Sequence, residues 1–174
     1  LGQNMGTASD AERTVARREH IAFVFQAYHL IAHLNATENI AHTLRMRGVP
    51  GRQAHQRALQ ALEQVGLGHR LEVLPRNMSG GEQQRVAVAR ALACAPRILL
   101  CDEPTGNLDT ENSHKVLDLL LAGRAEKQSL VIITHDARVA AYADREVTVR
   151  DGRISPGATH TAAGPSRPGH AEPG

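Results

Sequence analysis

The sequence predicts an α/β fold built on a largely parallel sheet. Three compact apolar runs, Ile21 to Phe25, Arg97 to Cys101 and Leu130 to Thr134, read as buried strands. Segments with helical start signals lie between them, and helices alternating with apolar strands are the pattern of parallel strands joined by crossovers. A length of 174 residues fits one ordinary domain with room for a real core.

Each element has a local reason. Ser9 with Glu12 forms a capping-box pattern, which predicts a helix from Asp10 to about Arg18. The strand 21–25 follows and ends at Gln26. Thr37 is the expected N-cap of a helix running to about Arg47, where Gly48 and Pro50 stop it. A further helix is expected from about Arg52 to Val65, with Leu59, Leu62 and Val65 on one face. Residues 70–78 read as a loop. Ser79-Gly80-Gly81 opens a helix to about Ala93, which stops before Pro96, and a strand candidate follows at 97–101. Thr110 to about Ala122 is helical, 130–134 is the third strand, and Asp136 to Tyr142 is a short helix. Asp151-Gly152, between Glu146–Arg150 and Arg153-Ile154, is a two-residue hairpin signal. From Ser155 to Gly174, Pro, Gly and small residues dominate, so this segment is expected to be a disordered tail behind an ordered region 1–154.

Composition excludes several functions. Lys and Arg number 20 against 18 Asp and Glu, so bulk charge gives no support to a nucleic-acid binder. Aromatic residues are 2%, too few for base-stacking platforms. The apolar runs are far shorter than the roughly 20 residues of a membrane helix. No basic segment leads into an apolar one near Leu1, so no signal peptide is expected. Cys94 and Cys101 show no metal-ligand spacing and read as buried free thiols of a reducing compartment. His29 and His33 stand four apart with no third ligand evident, so they read as a solvated pair.

Two segments carry chemistry. The strand at 97–101 runs into Asp102-Glu103, and ligands of open α/β sheets bind beyond the carboxyl ends of strands. One acid can hold Mg²⁺ while its neighbour takes a proton from an attacking water; the competing reading is a strand that merely ends in a turn. In Met78-Ser79-Gly80-Gly81-Glu82-Gln83-Gln84-Arg85, two glycines allow close backbone approach to a phosphate, and the following helix directs its positive end there. Taken alone, that segment reads better as a glycine-rich helix cap.

The ordered set changes this. Ser-Gly-Gly-Glu-Gln-Gln-Arg, then a strand ending Asp-Glu-Pro, then Thr105-Gly106-Asn107-Leu108-Asp109, then a strand ending Thr134-His135-Asp136, resembles the ATP-binding subunit of ABC transporters. The resemblance runs from about Arg18 to Ile154. It implies a P-loop NTPase-like core with a mainly parallel sheet and a helical subdomain at about 27–80. It also implies ATP and Mg²⁺ as cofactors and ATP hydrolysis that powers transport. Gln26 corresponds to the Q-loop glutamine, which senses Mg²⁺ and the attacking water. Residues 78–82 correspond to the signature motif, with Met78 where leucine is usual. Ser79, Gly80, Gly81 and Glu82 would then face ATP held by the opposite subunit. Asp102 corresponds to the Walker B aspartate at Mg²⁺, Glu103 to the general base, Asp109 to the D-loop aspartate and His135 to the switch histidine. The implied partners are a second ATP-binding subunit, head to tail, and an integral-membrane permease, with the protein on the cytoplasmic face of the membrane. Tyr28, Leu30, Ile31 and Leu34 would offer the permease apolar contact area. The subfamily looks like the lipoprotein-releasing and macrolide-export type.

The P-loop pattern Gly-x-x-x-x-Gly-Lys-Ser/Thr does not occur among the 174 residues, whose two lysines are Lys115 and Lys127. By resemblance the sequence begins inside the family's N-terminal subdomain, without the strand–P-loop–helix unit. The chain as given is therefore expected to lack catalytic competence alone. The alternatives are a non-catalytic fragment that docks on partner subunits and, more weakly, an ABC-type DNA-repair ATPase. The second would need an inserted coiled coil or zinc module between Gln26 and Ser79, and that segment holds no cysteine and no sustained heptad.

Overall fold

The computed structural model describes residues 4–159, which form two units dividing after Ile133. The first unit contains α1 (Asp10–His20), β1 (Ile21–Phe25), α2 (Ala36–Met46), α3 (Gly51–Gln64), α4 (Gly80–Ala93), β2 (Ile98–Asp102), α5 (Thr110–Ala122) and β3 (Ser129–Ile133). β1, β2 and β3 form one parallel sheet in that order, so the predicted parallel α/β architecture is present. The register aligns Phe25 with Asp102 and Asp102 with Ile133, which brings all three carboxyl ends to one edge.

Alternation along the strands sorts their side chains onto two faces. Ala22, Val24, Leu99 and Cys101 are buried against Val88 and Ala91 of α4 and Val116 and Leu120 of α5. The opposite face carries Phe23, Val131 and Ile133, which are 39%, 45% and 58% exposed. Parallel sheets are ordinarily covered on both faces, and in this unit the apolar second face is open to solvent.

A second cluster lies in the helical layer. Ile40 and Leu44 of α2, Ala54, Ala58 and Leu62 of α3, and Leu67 pack with Met78, Val86 and Ala89. α4 thus contributes Val86 and Ala89 to this cluster and Val88 and Ala91 to the sheet cluster. A helix buried on two sides is apolar nearly all round, as the run from Val86 to Ala93 is.

Local signals held at most boundaries. The capping box of Ser9 and Glu12 starts α1 as expected. α2 departs from expectation. Its N-cap is Asn35, whose side chain accepts from the Glu38 N–H, while Glu38 accepts from the Asn35 N–H. Thr37 is instead buried in the first turn, and its hydroxyl donates to the Leu71 carbonyl at 2.9 Å. The expected loop at 70–78 holds a short 3₁₀ turn, Pro75–Asn77.

The second unit contains α6 (Ala137–Ala140) and an antiparallel hairpin of β4 (Arg145–Arg150) and β5 (Arg153–Thr159). Asp151 and Gly152 both have positive φ, 49° and 72°, the conformation a two-residue hairpin turn needs. β5 runs five residues past the expected end at Ile154, so residues 155–159 are strand rather than tail. The rest of the expected tail, 160–174, lies outside the described residues. No helix among the described residues is long and apolar enough to cross a membrane.

Candidate nucleotide site

The acids sit where β2 leaves the sheet. Asp102 is the last residue of the strand and is exposed, with no hydrogen bond or ion pair to its carboxylate among the described residues. Glu103 follows with φ of 45°, a left-handed conformation that costs a side-chain-bearing residue energy and marks functional turns. Its N–H donates to the Ile133 carbonyl at 2.9 Å, and its carbonyl accepts from the Gly106 N–H at 3.1 Å. Both bonds fix the turn that carries the carboxylate. The oxygen-only, unengaged donor set of Asp102 suits a hard cation that fills its other positions from phosphates and water.

Gln26 stands next to this turn, one residue beyond β1. Its side-chain amide donates to the Asn107 Oδ1 at 3.1 Å, and the Asn107 amide donates back to the Gln26 carbonyl at 3.2 Å. The structure thereby brings Gln26, Asp102 and Glu103 to one sheet edge.

The glycine-opened helix is α4. Ser79 is its N-cap; the Ser79 N–H donates to Glu82 Oε2 at 2.8 Å, and the Glu82 N–H donates to the Ser79 Oγ at 3.2 Å. The cap reading and the ligand reading of this segment are compatible. The Gly80 and Gly81 amides precede the helical ladder and are left over by it. Side chains are excluded here: a Cβ on Gly80 would lie 2.8 Å from the Tyr28 hydroxyl, and one on Gly81 would lie 2.8 Å from the Asn112 carboxamide. Glu82 is also paired with Arg70 at 2.8 Å. The Ser79 backbone N–H and, to a smaller degree, Arg70 hold the Glu82 carboxyl below its usual range.

Asp109 caps α5, accepting from the Asn112 N–H at 2.8 Å and the Asn112 side-chain amide at 2.7 Å. The Asn112 N–H is the main cause of its lowered pKa. Asn112 in turn accepts from Arg85 of α4 at 3.3 Å, which links Asp109 to the helix of Ser79. His135 is exposed and belongs to the second unit, two residues after β3. There Asp136 caps α6 and pairs with Arg138, which depresses its pKa.

Several functional contacts carried no signal of their own in the sequence. Gln84 is fully buried, and its amide donates to the Pro104 carbonyl, the residue after Glu103. Its Oε1 is buried with no hydrogen-bond partner among the described residues. Arg90 donates to the carbonyls of Tyr28 and His29, two residues with φ of 61° and 47° just after Gln26. Of the apolar residues expected to face a partner, Leu30 is partly buried and packs against the helical cluster. Cys101 is buried, with its thiol pushed up to about 12 by burial, whereas Cys94 is only half-buried. His29 tilts against the Phe25 ring, with centroids 4.6 Å apart. No cluster of three or more metal-ligating side chains occurs among the described residues.

A parallel sheet with acids beyond its central strand and a glycine-opened helix beside them defines an α/β protein of the nucleotide-binding kind, and comparison with known proteins narrows this. A family model for the ABC transporter domain matches residues 2–106. The lipoprotein-releasing system ATP-binding protein LolD of Granulibacter bethesdensis is 47% identical over 87% of this chain and 66% of its own length. The macrolide export ATP-binding/permease protein MacB 1 of Yersinia pestis is 40% identical over 88% of this chain and 24% of its own. Among solved structures, the ATP-binding cassette MJ0796, dimeric with ADP and Pi, aligns with a TM-score of 0.75 and 37% identity, over 86% of this chain and 68% of that one. The chain therefore belongs to the ABC transporter family, and its relatives are of the lipoprotein-releasing and macrolide-export type. It spans 58–68% of the length of the LolD relatives it matches.

Proposed function

We propose that this chain serves as an ATP-binding and ATP-hydrolysing subunit of an ABC transporter. In this reading it works at the cytoplasmic face of a membrane, with a second ATP-binding subunit and a permease. The observation that carries the reading is the turn after β2. Glu103 is locked in a left-handed conformation between Asp102 and Gly106, beside Gln26. Glu103 takes the proton of the attacking water, and Gln26 orients that water. Asp102 would hold Mg²⁺, which when bound would supply charge neutralisation for the phosphates. Ser79, Gly80 and Gly81 offer a hydroxyl and free amides to ATP on the facing subunit, and Glu82 keeps Ser79 in place. Asp109 lies at the subunit interface, and His135 contacts the γ-phosphate. Family membership and the dimeric cassette neighbour support this arrangement.

The test is Glu103→Gln in the assembled transporter with a P-loop restored upstream of this chain. Glutamine keeps the shape and the hydrogen bond but cannot accept a proton. Phosphate release should fall by at least about 10²-fold, the usual contribution of a general base, while Mg-ATP stays bound and holds the subunits together on size exclusion. Turnover near wild type would remove Glu103 from the role of base.

A further inference from the structure

Pro104 follows Glu103 and has no N–H, so its backbone can be held by a hydrogen bond only through its carbonyl. Pro104 is buried, and the Gln84 side-chain amide donates to that carbonyl from α4, 20 residues earlier. The turn needs such a hold. Glu103 has φ of 45°, whereas a residue before proline prefers extended backbone with negative φ. Backbone kept in that region persists only where its surroundings over-determine it. The Glu103 N–H is bonded to the Ile133 carbonyl, and its own carbonyl accepts from the Gly106 N–H. Gln84 fastens the next peptide group along.

This amide costs the core something. Gln84 is fully buried, and its Oε1 lies unpartnered among the described residues. A methionine or leucine would fill similar space without an orphaned acceptor, and a buried acceptor left unmade is destabilising. Packing alone therefore gives no reason for an amide here, whereas a donor directed at Pro104 does. The helix behind it is firmly seated. Its start is fixed by the capping box of Ser79 and Glu82, and Val86, Ala87 and Val88, just after Gln84, are fully buried. A side chain on so rigid an element sets the place of what it grips.

We propose that Gln84 is a positioning residue for hydrolysis. From the helix that opens at Ser79 it fixes the turn that carries Glu103, and so sets the direction of the Glu103 carboxylate. The inference rests on the reading of Glu103 as the general base.

Two measurements test it. The first is amide exchange, followed by NMR on the 174-residue chain, which needs no nucleotide. Gln84→Met should speed exchange of the Glu103 and Gly106 amides at least about 5-fold, roughly the worth of one hydrogen bond. The Leu62 amide of α3 and the Leu120 amide of α5 should keep their rates. The second is turnover in the assembled transporter with a P-loop restored upstream. There Gln84→Met should lower kcat at least about 10-fold, because small misplacements of a reacting group are costly, and leave the KM for ATP within about 2-fold. In a Glu103→Gln background it should cost no further rate, since the two residues act as one unit. Unchanged exchange at Glu103 and Gly106 would overturn the proposal. Equal acceleration at Leu62 and Leu120 would make Gln84 a core residue only and overturn it too, as would a raised KM with kcat kept. Gln84→Leu is read in the same way, and failure of both variants to fold would also assign Gln84 to the core. Near wild-type turnover of Glu103→Gln alone would instead remove the base, while exchange would still decide whether Gln84 holds the turn.

Discussion

Glu82 shows how one side chain can serve both a fold and a site. It accepts from the Ser79 N–H, pairs with Arg70 and so ties the residue-70 loop to the start of α4. Its pKa is depressed from the ordinary 4.5, first by the Ser79 N–H. A carboxyl depressed in the folded state contributes stability that is complete above its unfolded value and lost as pH falls through the folded one. Glu82→Gln should therefore be less stable than wild type at pH 7, and the gap should close in acid, below the ordinary carboxylate range. Urea midpoints at pH 7 and in acid measure this. A gap that stays constant with pH would mean that the cap does not depend on the charge.

At the scale of elements, α2 is anchored by a residue its sequence did not advertise. Asn39 is buried at 1% exposure and donates to the carbonyls of Ile31 at 3.2 Å, Leu34 at 2.8 Å and Asn35 at 3.0 Å, while its Oδ1 accepts from the Ile31 N–H at 2.7 Å. It is in effect the clasp of the segment that follows Gln26. Each buried group left unsatisfied costs about 1–3 kcal/mol, so Asn39→Ala should lose at least about 2 kcal/mol in urea unfolding, far more than an exposed polar-to-alanine change. A loss under about 0.5 kcal/mol would show that water replaces the amide.

Asn39 also marks the limit of what was legible. Strands β1, β2 and β3 were readable because each is a short apolar run, and the starts of α1 and α4 because their caps are local in sequence. The start of α2 was misplaced because Asn35 and Thr37 are both good caps; the Glu38 side chain completes the capping box with Asn35, and the distant Leu71 carbonyl occupies Thr37. At the site, Asp102, Glu103, Ser79 and Gly81 stand in an ordered motif set. The partners that hold this machinery, Asn107 for Gln26, Asn112 for Asp109 and Gln84 for the Pro104 carbonyl, act across 81, 3 and 20 residues. Except for the second, such pairings exist only once the sheet has brought strand ends together. The extent of β5 was missed for another reason: a strand paired through its backbone tolerates the small residues and Pro156 that read as a tail.

For the molecule as a whole, the sheet of the first unit has one dry face and one wet one. Phe23, Val131 and Ile133 form an apolar surface on the wet side, and exposed apolar patches drive association. The 174-residue polypeptide in isolation should bind 8-anilinonaphthalene sulfonate and self-associate, and Val131→Thr with Ile133→Thr should reduce both. Sedimentation velocity measures it; a monodisperse monomer that ignores the dye would show that this face is quiet in solution.

Because α4 is a wall of both hydrophobic clusters, neither cluster has a complete boundary without the other. Loosening the helical layer strips Val86 and Ala89 of their neighbours, and the same helix then ceases to seat Val88 and Ala91 on the sheet. The two layers therefore share one folding cooperativity: a disturbance transmitted into the helical layer can tilt it against the sheet as a body, but cannot melt it alone.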